Sequence, residues 1–587
     1  MSAEAESSAV NLRYDATEKA PLPVAALVGA QIVALILAGI VLAPLVITRA
    51  TGLESQASWL IFAALIVCGL CTLLQASRIG IFGCGFVLFM GSNAAYVPVS
   101  LDAIAAGGLA LMTTLVAVSG FVQFAFSMSL GRLRQIITPA VGGTVVMLIA
   151  VSIMPIAVDL IAKLPASVNS TGPHQSAAAA TFVSIILIII FAGPKLRLWA
   201  PLIGVGLGCA VAYSEGLISF QTIAAAPWIG LPAASWPGMD LSFGEDFWTL
   251  LPAFAIVTLV GGIETYADAT AVQRVALRKQ KPIDFRLVQG SVNADAAGNL
   301  LSGLAGTVPN TVYSTSVAVA EITGIAARQV AYFGGVFLIL IAFSPKLASV
   351  LMAIPNPVVG AYIAVLLALL FSHGLRLVNE GRPDFATGFV VTISFWIGVA
   401  MQNKWLFNAE MPAWFTTMFG SGTTSGGIVA IVLMGLLQAG KGRAVKVDLT
   451  TDKAGAETLR TSVLAFCARA GWNKITTGRL AIATDETFAY IAGQTGPGRS
   501  VRLVLKRTGG FAEAEFVSPN LAQNLLSDTS ADEHLEAIRG LAFHVEHRQF
   551  YGRDYISVQM PLPRAADEPL PAEKPAEATP LDVPPGA

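Results

Sequence analysis

The chain has 587 residues, of which 55% are hydrophobic and 12% charged, with a formal net charge of -1 and a mean hydropathy of +0.68. That composition excludes an ordinary soluble globular protein and points to a polytopic membrane protein. With no basic patch interleaved with aromatics, nucleic acid is excluded as a partner. The five cysteines, Cys68, Cys71, Cys84, Cys209 and Cys467, stand mostly in apolar runs without neighbouring histidines, so neither a metal site nor a disulfide framework is expected. The Cys68/Cys71 spacing reads as small-residue packing in a membrane helix rather than a redox pair.

In chain order, a polar segment of mixed charge comes first (1–22), without the basic start and cleavage site of a signal peptide. A membrane domain follows over 23–440. Apolar segments recur near 24–47, 58–76, 83–99, 106–129, 137–160, 179–193 and 198–214. A second set lies near 248–271, 288–305, 310–323, 328–344, 349–372, 384–401 and 423–439. The expected architecture is therefore α-helical with 14 transmembrane segments in two sets of seven. With the N-terminus in the cytoplasm, the inner loops hold 16 Lys and Arg residues, including Arg78, Arg274, Arg278 and Arg328, whereas the outer loops hold only Arg49, Lys163, Lys346 and Lys404. This asymmetry favours an even number of spans and both termini inside, in a cell inner (plasma) membrane.

Two segments read poorly as ordinary spans. The third carries Gly80, Gly83, Gly85 and Gly91 before Ser92-Asn93-Ala94-Ala95-Tyr96, and the tenth begins after Gly303, Gly306 and Pro309. Their matching places in the two sets predict inverted repeats with two broken helices, whose freed backbone groups can bind a polar solute in a protein cavity. Glycines that merely allow close helix packing are the plainer alternative.

Ionisable residues in hydrocarbon are costly and mark sites by default. Glu264 and Asp268, four apart in the eighth segment, share one helical face, and two carboxylates so close repel, so one of them can carry a proton near neutral pH. Asp295 in the ninth segment reads equally as part of a proton path or as a helix-to-helix hydrogen-bonding group beside Asn293 and Asn299. Glu321 and the acids near the outer loops read as solvated.

Beyond a basic linker at 441–446 the composition changes, and 447–565 alternates helical and strand-like patterns. Helices are expected over 454–470, 477–492 and 533–547, and strands over 501–507, 511–517 and 555–561. This is a cytoplasmic α/β domain followed by a disordered Pro, Ala and Glu tail at 566–587. His544 and His547, three apart on the expected last helix, read as a solvated face rather than a metal site.

Residues 22–440 resemble the nucleobase-ascorbate transporters, also called xanthine/uracil permeases. The resemblance rests on Glu264-Thr-Tyr-Ala-Asp268, Asp295, Gly91-Ser92-Asn93, Pro355-Asn-Pro-Val-Val-Gly360 and Thr323-Gly324. It implies a core domain moving against a gate domain, a homodimer, no cofactor and no enzymatic activity. Carried over, Glu264 binds the base and Asp268 and Asp295 serve binding or proton coupling. Asn93, Ala94 and Tyr96 of the third segment and Thr315 and Ser316 of the tenth are the expected remainder of the substrate site. In the family signature the tenth segment opens with two amide or acid side chains, and here Thr315 and Ser316 replace them. The Gln-His pair usual in the first segment is Gln31-Ile32.

The C-terminal domain resembles the ATPase fold of histidine kinases and anti-sigma factor kinases through Leu480-Ala-Ile-Ala-Thr-Asp485-Glu486 and Arg539-Gly540-Leu541. Tyr490 stands where that family has its magnesium-binding asparagine, and no Asp-x-Gly-x-Gly loop follows. A degenerate regulatory domain taking a ligand or protein is expected. The function expected overall is proton-coupled import of a nucleobase or related heterocycle. An anion carrier of sulfate-permease-like architecture and a transporter-derived sensor are the alternatives.

Overall fold

The computed structural model describes residues 12–561 apart from 134–137, 163–171, 219, 279–280, 381–383, 407–418, 441–443, 471, 509–510, 520, 522–532, 543 and 551–552. The expected tail at 566–587, half of the basic linker and the first 11 residues lie outside the described residues. The chain divides into two compact units, the first comprising Met1–Gly442 with Arg548–Tyr551 and the second Arg443–His547 with Gly552–Ala587.

The first unit opens with α1 (Leu22–Thr51) and α2 (Ala57–Ser77), both apolar on nearly every side. After α2 the chain does not form the expected third helix. Arg78, Gly80, Gly83 and Gly85 all adopt positive φ, which ends the helix. The chain then runs extended as β1 (Phe89–Ser92), makes a single 3-10 turn over Ala94–Tyr96, and enters α3 (Val97–Leu133). The fourth segment is thus continuous with the end of the third, interrupted only by non-helical backbone at Gly107 and Gly108. There follow α4 (Pro139–Ala162), α5 (Gly172–Phe191), α6 (Ala200–Ser214), α7 (Glu245–Val275) and α8 (Phe285–Ala305).

The tenth segment repeats the break. It runs extended as β2 (Asn310–Tyr313) and then forms the nine-residue α9 (Thr315–Thr323). The remaining helices are α10 (Gln329–Ala342), α11 (Pro345–Met352), α12 (Asn356–Glu380), α13 (Phe385–Gln402) and α14 (Gly422–Gly440). The helix expected from 349 starts instead at Asn356, because Pro355 cannot continue α11. Among the described residues seven helices are long and apolar enough to cross a membrane, or eight if the bent pair α10 and α11 forms one span.

Two packing groups organise this unit. In one, α3 lies against α7 and α8, and α10 lies against α1 and α2. In the other, α4 lies against α12, α13 and α14, and α5 lies against α6. β1 and β2 pair antiparallel, with Gly91 opposite Thr311 and Ser92 opposite Asn310. Close approach requires glycine here, because a Cβ on Gly91 would overlap the Tyr313 ring and one on Gly298 of α8 would overlap the Asn310 amide. Tyr313 Oη donates to the Ser92 carbonyl at 2.7 Å, and Ser316 Oγ donates to the Tyr313 carbonyl at 2.7 Å. Cys68 and Cys71 are buried free thiols in α2.

A short N-terminal segment before α1 is tied to this unit. Arg13 N–H donates to the Gly324 carbonyl at 2.7 Å and Ala326 N–H to the Tyr14 carbonyl at 2.9 Å. The Arg278 guanidinium donates to Glu18 Oε2 at 2.9 Å and to the Arg13 carbonyl at 3.0 Å, and its N–H donates to Asp15 Oδ2 at 2.9 Å.

The elements after Gly442 are β3 (Val445–Thr450), α15 (Lys453–Arg469), α16 (Lys474–Thr495), β4 (Ser500–Thr508), β5 (Phe511–Pro519), α17 (Glu533–Leu541), β6 (His544–Phe550) and β7 (Arg553–Pro561), all in the second unit except the end of β6 from Arg548. These strands lie in the order β6-β7-β5-β4-β3, and Leu459, Val463, Leu480 and Ile491 of the helices pack with Val501, Leu503, Phe516 and Ile556 of the sheet. β3 starts inside the stretch expected to be linker. The helix expected over 533–547 ends at Leu541, and His544 and His547 fall on a strand. His547 is buried rather than solvated, with Nε2 at 2.9 Å from Asp554 Oδ1. Among the described residues no group of histidine, cysteine and acidic side chains could hold a metal.

Candidate functional site

One stripe of α7 gathers the expected residues. Thr258, Gly261, Thr265 and Asp268 follow one another at steps of three, four and three, so they lie on one face over about 15 Å of helix. At its first step, Tyr96 Oη donates to Thr258 Oγ1 at 2.6 Å. Tyr96 is 1% exposed and its ring lies against Phe254 at 6.0 Å, so its hydroxyl ties the turn after β1 to α7.

At the second step, Asn93 Nδ2 lies 3.2 Å from where a Cβ on Gly261 would begin. This amide nitrogen is buried without a partner, while Asn93 Oδ1 accepts from the Ala95 N–H at 2.9 Å and caps the 3-10 turn. Glu264 is one turn further along the same side as Gly261. It is half-buried and lies within electrostatic range of Asp268 and Asp295.

At the third step the stripe meets α8. Thr265 Oγ1 and Gln123 Nε2 both donate to Asp295 Oδ2, each at 2.7 Å. Asn299 Nδ2 donates to Gln123 Oε1 at 2.6 Å, and Asn299 Oδ1 accepts from the Asn310 N–H of β2 at 2.9 Å. Asp295 is 1% exposed, and its Oδ1 has no partner among the described residues. A buried polar oxygen left open costs about 1–3 kcal/mol, so this network, like the Asn93 amide, favours a proton, a water or a solute polar group.

At the fourth step, Ser314 Oγ donates to both oxygens of Asp268, at 2.7 and 2.9 Å. Ser314 is the residue before α9, where its hydroxyl would ordinarily cap the first N–H groups of the helix. Committed to Asp268, it leaves that helix start without a side-chain cap. The first N–H groups of a helix are donors at the positive end of its dipole. Ala94 and Ser314 remain exposed beside buried Asn93, Ala95 and Ser316, so both turn starts stay accessible.

The structure therefore brings Glu264, Asp268, Asp295, Asn93 and Tyr96 together along α7, with Ala94 and Thr315 at the two turn starts. Ser316 is turned into the strand crossing, where it also lies 3.4 Å from the Phe89 N–H. Sequence reasoning missed Gln123, Thr265 and Ser314. Gln123 had a signal, being the only amide in the apolar run 106–129.

A family model for xanthine and uracil permeases, described as a permease family, matches residues 24–407. The chain is 25% identical over 445 residues to the xanthine permease XanP of Escherichia coli, covering 73% of this chain and 95% of that one. It is also 25% identical over 416 residues to the uric acid permease PucK of Bacillus subtilis, covering 70% and 95%. Among solved structures it is similar to the transmembrane domain of the cyanobacterium bicarbonate transporter BicA, at 14% identity and a TM-score of 0.43, covering 71% of this chain and 98% of that one.

Proposed function

The chain belongs to the xanthine/uracil permease family, a multi-pass membrane transporter and not an enzyme, and from that premise we propose that it imports an oxopurine or related nucleobase together with protons. The observation that carries this reading is the place of Glu264, between the Asn93 amide one turn before it and the Ser314–Asp268 pair one turn after it, with two accessible helix starts beside the same stripe. A flat heterocycle with adjacent N–H and carbonyl groups fits that set. Its N–H edge donates to the Glu264 carboxylate, and its carbonyls accept from the turn starts at Ala94 and Thr315 and from Asn93 Nδ2. That relatives matched over 95% of their own length carry xanthine and uric acid in their names supports the same substrate class.

Asp295 or Asp268 carries the coupled proton. Asp295 holds an oxygen open for it, and Thr265 and Gln123 fix the other oxygen. Proton arrival at this network and solute arrival at Glu264 are joined through α7, because Glu264 and Thr265 are neighbours on that helix. In the full proposal the membrane domain comprises 14 segments as two inverted sets of seven, with alternating access around the β1–β2 crossing. Both termini are cytoplasmic, in a plasma membrane. The second unit is a cytoplasmic regulatory domain, and two chains form the working dimer.

Calorimetric titration of purified protein with xanthine and with uracil tests the assignment. Glu264→Gln should weaken binding of the preferred base about 10- to 100-fold, the loss of one or two hydrogen bonds to a charged group. Unchanged affinity would remove Glu264 from the site.

A further inference from the structure

A cavity of about 290 Å³ lies in the first unit, beyond the Asp268 end of the α7 stripe, and Arg78, Lys281 and Arg328 line it together with Cys84, Gln273 and Gln549. The side chain of Arg78 and the guanidinium of Arg328 converge. The point where a Cβ on Gly85 would stand is 3.6 Å from Arg78 Cβ and 4.0 Å from Arg328 Nη1. Three cationic side chains lining one cavity repel one another unless an anion lies among them.

Among the described residues none of the three cations makes an ion pair. The cavity wall holds one carboxylate, Asp284, and it is already engaged, accepting from the Arg286 N–H at 2.9 Å and facing Arg286 Nε at 3.6 Å. The contrast with Arg278 is direct, since that guanidinium is satisfied by Glu18 and by backbone carbonyls. Arg328 also stands at the N-terminus of α10, whose first turn carries no acidic residue and no side-chain cap. A cation at the positive end of a helix is electrostatically misplaced, whereas an anion there is favoured.

We propose that this cavity binds the phosphate group of an anionic ligand, held by Arg78 and Arg328 in forked hydrogen bonds and by Lys281 as a third charge. Guanidinium groups match phosphate oxygens two at a time, and an ammonium serves as a point charge beside them. The phosphate belongs either to an anionic phospholipid headgroup or to a soluble phosphate compound. The site is separate from the nucleobase reading and stands without it.

The test uses the delipidated full-length protein in detergent and follows its thermal midpoint. One arm adds inorganic phosphate against chloride at matched ionic strength, and the other adds phosphatidylglycerol against phosphatidylcholine in mixed micelles. A saturable rise in at least one arm is expected. A rise with inorganic phosphate assigns a soluble ligand, and a rise with phosphatidylglycerol alone assigns the lipid. Arg78→Gln and Lys281→Gln, both at exposed positions, should each shift half-saturation at least about tenfold. Arg78→Gln/Arg328→Gln should abolish the rise if it folds. Phosphate also stabilises proteins by exclusion from their surface, so an equal rise in wild type and in Arg78→Gln would overturn the proposal, as would no rise in either arm.

Discussion

Gln123 joins Asp295 of α8 to Asn299, and through Asn299 to the backbone of β2. Replacing it by leucine removes a donor from a buried carboxylate and leaves the Asn299 amide without its acceptor. Gln123→Leu should therefore destabilise the protein by about 1–3 kcal/mol, read as a fall in thermal midpoint, and an unchanged midpoint would mean that water replaces the amide fully. The carboxylates themselves were legible in the sequence because charge is rare in apolar segments. Their partners were not, since Thr265 and Ser314 are ordinary residues until the crossing of α7, α8 and α9 gives them an acceptor.

At the scale of elements, the two broken segments were visible as glycine and proline runs, but their antiparallel pairing was not, because pairing joins residues more than 200 positions apart. Gly91→Ala tests that pairing. The added methyl group overlaps the Tyr313 ring, so a lower thermal midpoint and lost uptake are expected, with the midpoint partly recovered in Gly91→Ala/Tyr313→Ala. No recovery would place the strain elsewhere. The helix expected over 533–547 forms but stops at Leu541, because a soluble helix and a half-buried strand differ little over so short a run as its last six residues, and His547 is buried against Asp554 as a strand residue. At the start of α15, Asp452 Oδ1 accepts from the Gly455 N–H at 2.8 Å, and Asp452→Ala should cost about 1 kcal/mol of stability in the second unit.

The N-terminal segment adds a pH dependence to the elements it joins. Asp15 is partly desolvated, which opposes ionisation, yet N–H donation from Thr17 and Arg278 holds its carboxyl below the usual range. Glu18 is held down by the Asp15 N–H and the Arg278 guanidinium. A folded-state pKa below the unfolded one gives stability that is present above the unfolded value and lost as pH falls through the folded value. Glu18→Gln should therefore lower the thermal midpoint at neutral pH, with the difference from wild type closing below about pH 4. A difference that persisted in acid would show that the carboxylate acts through shape rather than charge.

At the scale of the whole molecule, hydropathy and basic-residue placement mark a change of character near residue 440. Long apolar helices announce themselves through composition, whereas the start of α12 at Asn356 depended on how Pro355 breaks the chain. What composition does not contain is the alignment of Thr258, Gly261, Glu264, Thr265 and Asp268 with two helix starts. In the proposed reading, that alignment is what makes a transport site from an otherwise apolar bundle. The most direct test is uptake of labelled xanthine, uric acid and uracil into proteoliposomes, with and without an inward proton gradient, for wild type and Glu264→Gln. Saturable uptake of at least one base, stimulated by the gradient and lost in Glu264→Gln protein of normal abundance, is the predicted result. Uptake that ignores the gradient, or that survives the substitution unchanged, would contradict the account.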